Sequence, residues 1–323
     1  MKTTDTLKIW KLKIRLFLIM TLFFGIIYGL VSMVSYVFGV VNFFFYAILA
    51  IVIIFFQYLL GPSIINLTMR VKYVSEKEEP DLYKMIKELA EKADIPMPKI
   101  GISSLKIPNA FAFGRWLSDG RVCVTQGILD LLDKKELKAV LGHEISHLKH
   151  RDVLVMTLLS TVPMLAWFLA RSSFYSSNRR NSGMLLIGLL AFVIYIITNL
   201  LVLYVSRIRE YYADAGSLKL GNSGHYLATA LYKLVHGSAK SPKEEIKFVE
   251  GAKAFFVNDV SKAHDEILQL ADLDLDKSGT IDPHELKLLK EKHIKLTPSE
   301  KLLEVLSTHP NMLKRIKYLA ELS

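Results

Sequence analysis

The chain has 323 residues, 51% of them apolar and 22% charged, and its mean hydropathy of +0.31 is too high for an ordinary soluble enzyme. The length holds a membrane-embedded module and one or two soluble ones, which excludes a disordered chain, and a lone cysteine, Cys123, excludes a disulfide scaffold. The 41 Lys and Arg against 31 Asp and Glu leave a charge of +10. Many of the basic residues flank apolar runs, so anionic lipid headgroups, not nucleic acid, are the expected partner.

Between Arg15 and Arg70 no side chain is charged. A membrane span uses about 20 apolar residues, so this run predicts two helices, 14–36 and 41–61, joined near Gly39 and ended by Gly61-Pro62. A cleavable secretory signal would be shorter and carry a small-residue cleavage site. Two more uncharged runs, 153–170 and 181–206, bring the expected spans to four, the third interrupted by Pro163. Lys2, Lys8, Lys11, Lys13 and Arg15 precede the first span, and no charge lies between the first two. The positive-inside rule then places the N-terminus, 62–152 and 207–323 in the cytoplasm of a multi-pass cell-membrane protein. Arg171, Arg179 and Arg180, in the opposite loop, count against that orientation.

In the first soluble stretch Leu82, Met85, Ile86, Leu89 and Ala93 recur at helical spacing, which predicts a helix over 79–95. Short extended segments follow at 99–103, 109–114 and 121–125. The last two flank a Ser118-Asp119-Gly120 turn and predict a small antiparallel β-ribbon. A short helix is expected over 127–132, and Asp133 with Glu136 forms a capping pair that opens another over 134–151. A surface loop at 238–245 precedes a C-terminal region of different composition. The expected division is 1–62 and 153–205 for the two helix pairs, 63–152 for the first soluble part and 206–250 for the helices after the fourth span. An insert over 251–298 and a closing segment over 299–323 complete it.

On the 134–151 helix stands His143-Glu144-Ile145-Ser146-His147, a match to H-E-x-x-H. Residues four apart share a helix face, so both imidazoles can bind one Zn²⁺ while Glu144 serves as general base. The competing reading is a chance pattern of solvated residues. A zinc hydrolase needs a third protein ligand and an open position. The best candidate is Glu210, with Asp214 one turn further on as a carboxylate able to orient a zinc-bound histidine. Against it stands a plain charged membrane exit, for which Arg207 and Arg209 are typical. Two crossings separate the histidines from Glu210, and that even number leaves all three on one side.

In the insert, residues 274–285 fit the twelve-residue EF-hand loop. The expected Ca²⁺ ligands are Asp274, Asp276, Ser278, the carbonyl of Thr280, Asp282 and Glu285, with Gly279 at the turn and Ile281 pointing inward. Leu270, Leu273, Leu286 and Leu289 give the flanks helical spacing. EF-hands normally work in pairs and no second loop is visible, so an acidic turn without useful affinity is the alternative.

Asn109-Ala110-Phe111-Ala112-Phe113-Gly114, the stretch from Leu137 to His147, Ser206 to Asp214, and Thr308-His309-Pro310 with Arg315 together resemble the HtpX-type integral-membrane zinc endopeptidases, relatives of the CAAX-prenyl endopeptidases. The resemblance runs over about 65–236 and resumes near 300. It implies a mainly α, four-span polytopic membrane protein whose cytoplasmic zincin-like (gluzincin) domain carries the small β-ribbon; the EF-hand-like insert departs from the pattern. It implies His143, His147 and Glu210 as zinc ligands, Glu144 as catalytic base and Asp214 as a partner of a ligand. His309 would stand near the active site, placed to stabilise an oxyanion, with Arg315 supporting it. Asn109, Ala110, Phe111 and Ala112 would lie on an edge strand that takes an unfolded substrate as an added β-strand. The implied activity is hydrolysis of misfolded or surplus membrane proteins at the cytoplasmic face. A prenyl-peptide processing protease and a non-catalytic membrane calcium sensor with a structural zinc are the rivals. His150, His225, His236, His264, His284 and His293 lack motif support and read as solvated.

Overall fold

The structure, a computed structural model, describes residues 22, 26, 43–176, 182–242, 244–246, 256–257, 263–270, 273–291 and 297–323. It separates into two compact units, Met1–Leu60 with Leu154–Ser206 and Gly61–Val153 with Arg207–Ser323. The expected first span, 14–36, lies outside the described residues except for Leu22 and Ile26, which are helical.

Helix α1 (Phe43–Thr68) runs through Gly61 and Pro62 instead of ending there. Proline removes one helix hydrogen bond and crowds the preceding turn. The turn beyond it nevertheless buries Ile65 and Met69 in a cluster with Leu105, Phe111 and Phe113, and that burial outweighs the break. After β1 (Val71–Tyr73) comes α2 (Pro80–Ala93), which buries Leu82, Ile86, Leu89 and Ala93 at the expected spacing. Pro80 opens α2, where its missing N–H has no helical acceptor to lose, and left-handed Asp94 (φ 55°) closes it.

Strands β2 (Lys99–Ser103), β3 (Ala110–Phe113) and β4 (Arg121–Thr125) join β1 in one sheet of order β1-β2-β4-β3. The expected ribbon is its β3–β4 pair, antiparallel with Phe111 opposite Cys123. The sheet is larger and mixed, because β2 runs parallel to β4 and β1 antiparallel to β2. A parallel pairing joins strands distant in sequence, so no local turn announces it.

Thr125 caps α3 (Gln126–Leu131) by accepting a hydrogen bond from the Ile128 N–H. The capping box of Asp133 and Glu136 opens α4 (Lys134–Lys149), a device worth about 1 kcal/mol. The chain then reverses through left-handed Arg151 (φ 55°) into α5 (Asp152–Ser176), which Pro163 does not end, and α6 (Ser182–Lys219). Both are long and apolar enough to cross a membrane, through Asp152–Arg171 and Leu185–Lys219. On α6 Leu185, Leu186, Leu189, Val193 and Ile197 remain exposed, as on a helix facing lipid and unlike one in a soluble core. Its 38 residues span about 57 Å, nearly twice the ~30 Å hydrocarbon layer, so α6 extends well beyond one crossing.

Helices α7 (Gly224–Ala239), α8 (Ala263–Leu270), α9 (Pro283–Glu291), α10 (Pro298–Val305) and α11 (Met312–Leu322) complete the chain. One core holds Ile86 of α2, Val124 of β4, Leu141 and Ile145 of α4, Leu231 of α7 and Ile316 of α11. Leu270, Leu273, Ile281, Leu286 and Leu289 share that core, so the EF-hand-like segment is packed into the soluble unit.

Candidate metal centre

Helical spacing puts His143 and His147 on one face of α4, their Nε2 atoms 3.0 Å apart and their rings at 83°. Small residues decide what meets them. A Cβ on Gly216 of α6 would lie 2.0 Å from Ser146 Oγ, and one on Gly142 of α4 would lie 2.9 Å from Ser217 Oγ. Ser217 Oγ itself donates to the Ala139 carbonyl at 2.6 Å. Backbones this close bring Glu210 against the histidine pair, with Oε2 3.5 Å from His143 Nε2 and Oε1 3.5 Å from His147 Nε2. Ligand atoms around a tetrahedral ion at about 2.0–2.2 Å stand about 3.3–3.6 Å from one another. The observed separations, 3.0 to 3.5 Å, are close to that spacing, so the three side chains fit a metal ion.

The outer ring nitrogens are also engaged. His143 Nδ1 is 2.9 Å from Asp214 Oδ1, and His147 Nδ1 is 2.6 Å from Asp152 Oδ2. A carboxylate there holds the proton on Nδ1 and leaves the Nε2 lone pair for a metal. Behind Asp214 stands fully buried Arg315, which donates to both its oxygens at 3.0 and 2.7 Å and pairs with Glu210 Oε2 at 3.1 Å. Behind Asp152 stands Arg209. His309 is buried with Nδ1 3.6 Å from Glu210 Oε2.

Burial works to lower the His143 pKa, but hydrogen bonds to Asp214 and Glu210 prevail and raise it to about 9. Burial, and then the neighbouring His143, drive His147 down to about 4. The acidic surroundings thus draw a positive charge toward His143 and not toward both rings. Glu144, buried beside them, has its carboxyl pushed up by burial.

His143, Glu144, His147, Glu210, Asp214, His309 and Arg315 therefore gather in one place. Arg315 differs in partner: its guanidinium fork engages Asp214 and Glu210, because a planar pair of donors matches a carboxylate. Asp152 and Arg209 were missed. A carboxylate five residues after the second histidine shares no helix face with it until the chain reverses at Arg151, and Arg209 looked like an ordinary membrane-exit cation.

Asn109, Ala110 and Phe111 are buried, and Asn109 Oδ1 accepts from the Val257 N–H at 2.9 Å. Strand β3 is an edge of its sheet, so recognition there would use backbone more than side chains. In the loop before α9, Asp274, Asp276 and Glu285 each bring one oxygen within 4.8 Å of the others, and Gly279 takes φ 80°. Asp274 accepts from the Ser278 and Gly279 N–H groups at 2.9 and 2.8 Å. Ser278 Oγ contacts Thr280 Oγ1 at 2.8 Å, and Asp282 Oδ1 accepts from the Glu285 N–H.

The profile of Peptidase family M48 matches residues 76–323. The chain belongs to that family. It is 52% identical over 229 residues to a Protease HtpX homolog of Methanothermobacter thermautotrophicus, covering 71% of this chain and 88% of the relative. A Protease HtpX homolog of Aeropyrum pernix is 32% identical over 87% of this chain and 86% of its own. The crystal structure of S. mikatae Ste24p overlays 97% of this chain and 67% of its own at a TM-score of 0.48 and 17% identity. As an M48 member of the HtpX type, the chain is a membrane-bound metalloprotease.

Proposed function

We propose that the protein is a zinc endopeptidase that cuts misfolded or surplus membrane proteins at the cytoplasmic face of a four-span assembly. The observation that carries the reading is the convergence of His143 Nε2, His147 Nε2 and Glu210 at ligand spacing, with both outer ring nitrogens held by carboxylates. Two imidazoles and one carboxylate with a position left open are the donor set of a catalytic zinc. Bound there, zinc would supply Lewis acidity, polarising the scissile carbonyl and acidifying water. Glu144, its carboxyl shifted upward by burial, takes a proton from the attacking water and returns it to the leaving amine. His309, beside Glu210, is placed to donate to the developing oxyanion. An extended chain adding to the edge of the sheet at β3 would be read through its backbone, which suits unfolded substrates of varied sequence.

Glu144→Gln tests this: cleavage of casein, or of the chain itself, should fall by three orders of magnitude or more while one zinc per chain remains. Wild-type turnover by that variant would rule out Glu144 as the base. Trials of a farnesylated peptide against an unfolded membrane protein separate this reading from a prenyl-processing protease. Cleavage that a zinc chelator blocks excludes the non-catalytic calcium sensor; no cleavage at all by the zinc-loaded chain would leave that alternative standing.

A Ca²⁺ ion in the 274–285 loop is a second element of the reading. It is supported by the convergence of three carboxylates and by the seat of the loop on α7. Thr229 Oγ1 donates to the Ile281 carbonyl and accepts from its N–H, both at 3.0 Å, satisfying the backbone that a paired loop would otherwise meet. Because α7 shares the core with α4, calcium would adjust the catalytic unit. Proteolysis should change across a calcium titration; a flat profile would remove the regulatory role.

A further inference from the structure

The metal centre contains two histidines, each with a carboxylate on its outer nitrogen and an arginine behind that carboxylate. Arg315–Asp214–His143 is one such relay, with its carboxylate on α6 one turn beyond Glu210. The other, Arg209–Asp152–His147, is assembled from three different places. His147 is in the last turn of α4, Asp152 is the first residue of α5, and Arg209 precedes Glu210 on α6. The left-handed turn at Arg151 brings Asp152 back under the histidine. The side chains of Asp152 and Arg209 are about nine-tenths buried, and His147 keeps 16% of its side chain exposed against 1% for His143. His147 is thus the less enclosed of the two rings. Packing alone restrains it less, and its orientation depends more on the hydrogen bond at Nδ1.

We propose that Asp152, held by Arg209, is the positioning residue of the second histidine ligand, fixing the Nδ1–H form of His147 and aiming Nε2 at the metal. The Oδ2···Nδ1 distance of 2.6 Å is short even against the about 2.7–2.9 Å of charge-assisted N–H···O bonds. Arg209 occupies the other carboxylate oxygen, so Asp152 cannot rotate away from the ring without uncovering a buried charge. Arg209 also reaches the His150 carbonyl at 3.5 Å, tying the end of α4 to the helix that carries Glu210. One pair of charges therefore sets the angle of a ligand on α4 relative to a ligand on α6.

The inference rests on the metal reading of His143, His147 and Glu210, and the experiment separates the two. The full chain is purified in detergent with Glu144→Gln present throughout to prevent self-cleavage. Its zinc affinity is measured by competition with a chromophoric chelator, and the visible spectrum of the Co²⁺-loaded form reports ligand geometry. Asp152→Asn is nearly isosteric and should weaken zinc binding about tenfold, Asp152→Ala up to about 100-fold, in the range found for outer partners of metal-bound histidines, and the Co²⁺ bands should shift. Arg209→Gln should also weaken binding and Arg209→Lys should retain most of it. The double variant Asp152→Ala, Arg209→Gln should bind no worse than Asp152→Ala alone, since Arg209 acts through Asp152. If the pair serves packing alone, Asp152→Asn lowers the urea midpoint of the metal-free chain but leaves zinc affinity and the Co²⁺ spectrum unchanged, and the inference is overturned. If the parent chain takes up no stoichiometric zinc, the metal reading fails first and the inference goes with it.

Discussion

Arg315 has no exposed surface and engages two buried carboxylates at once, Asp214 and Glu210. Around the centre four carboxylates, Glu144, Asp152, Glu210 and Asp214, face two guanidiniums, Arg209 and Arg315. With Glu144 ionised and both histidines neutral, as metal ligation requires, two negative charges remain, the amount a divalent ion neutralises. Removing one partner of a buried pair leaves an uncompensated charge and costs about 3–5 kcal/mol. Arg315→Met should therefore lower the unfolding free energy from urea titration by that much and reduce zinc affinity. A loss below about 1 kcal/mol would mean that Asp214 and Glu210 reach water after all. His143, Glu144 and His147 were legible at this scale because one helix turn fixes their relation. Asp152 was not, because its meeting with His147 depends on a reversal at Arg151 that the sequence does not announce.

Among elements, the crossing of α4 and α6 governs the site. Gly142, Ser146, Gly216 and Ser217 let the two backbones approach until Ser217 bonds the Ala139 carbonyl. Gly216→Ala puts a methyl 2.0 Å from Ser146 Oγ and 2.6 Å from its Cβ. The helices must part, which typically costs about 1–3 kcal/mol, and Glu210 moves away from the histidines. The variant should lose zinc and proteolysis out of proportion to its change in unfolding midpoint. Zinc binding at the wild-type level would show that the crossing is looser than the distances indicate. In the first soluble part the elements were predicted to within a residue or two, α2 from its apolar stripe and α4 from its capping box, whereas α5 and α6 run on to Ser176 and Lys219, past the expected ends at 170 and 206. The turn of α1 beyond Pro62 and the parallel β2–β4 pair were not, because both depend on partners far along the chain.

At the scale of the whole molecule, the site requires an even number of crossings between His147 and Glu210, as α5 and the apolar part of α6 would provide. Lys134, at the start of α4, and Lys219, at the end of α6, are both exposed. Lys134→Cys and Lys219→Cys should react with a membrane-impermeant maleimide from the same side of sealed vesicles. The native Cys123 gives little background, since burial pushes its thiol up to about 12. Labelling from opposite sides would make the three-ligand site impossible. The 274–285 segment, which looked like a separable insert, places Leu273, Ile281 and Leu286 in the same core as α4 and α7. Its integration was hidden because apolar spacing shows that a face is buried without naming what covers it.

The sequence by itself determined the chemistry on offer: two imidazoles and a carboxylate base on one helix turn, acids one turn apart after an apolar run, and an oxygen-rich loop of EF-hand spacing. These follow from helix and loop periodicity, which operates over a dozen residues or fewer. Only the tertiary structure decided which carboxylate faces which histidine, that Arg315 serves Asp214 and Glu210, and that Asp152 and Arg209 stand behind His147. Those relations join residues 5 to 105 positions apart, and they exist because glycine and serine contacts, a left-handed turn and buried charge pairing bring separate elements to one point.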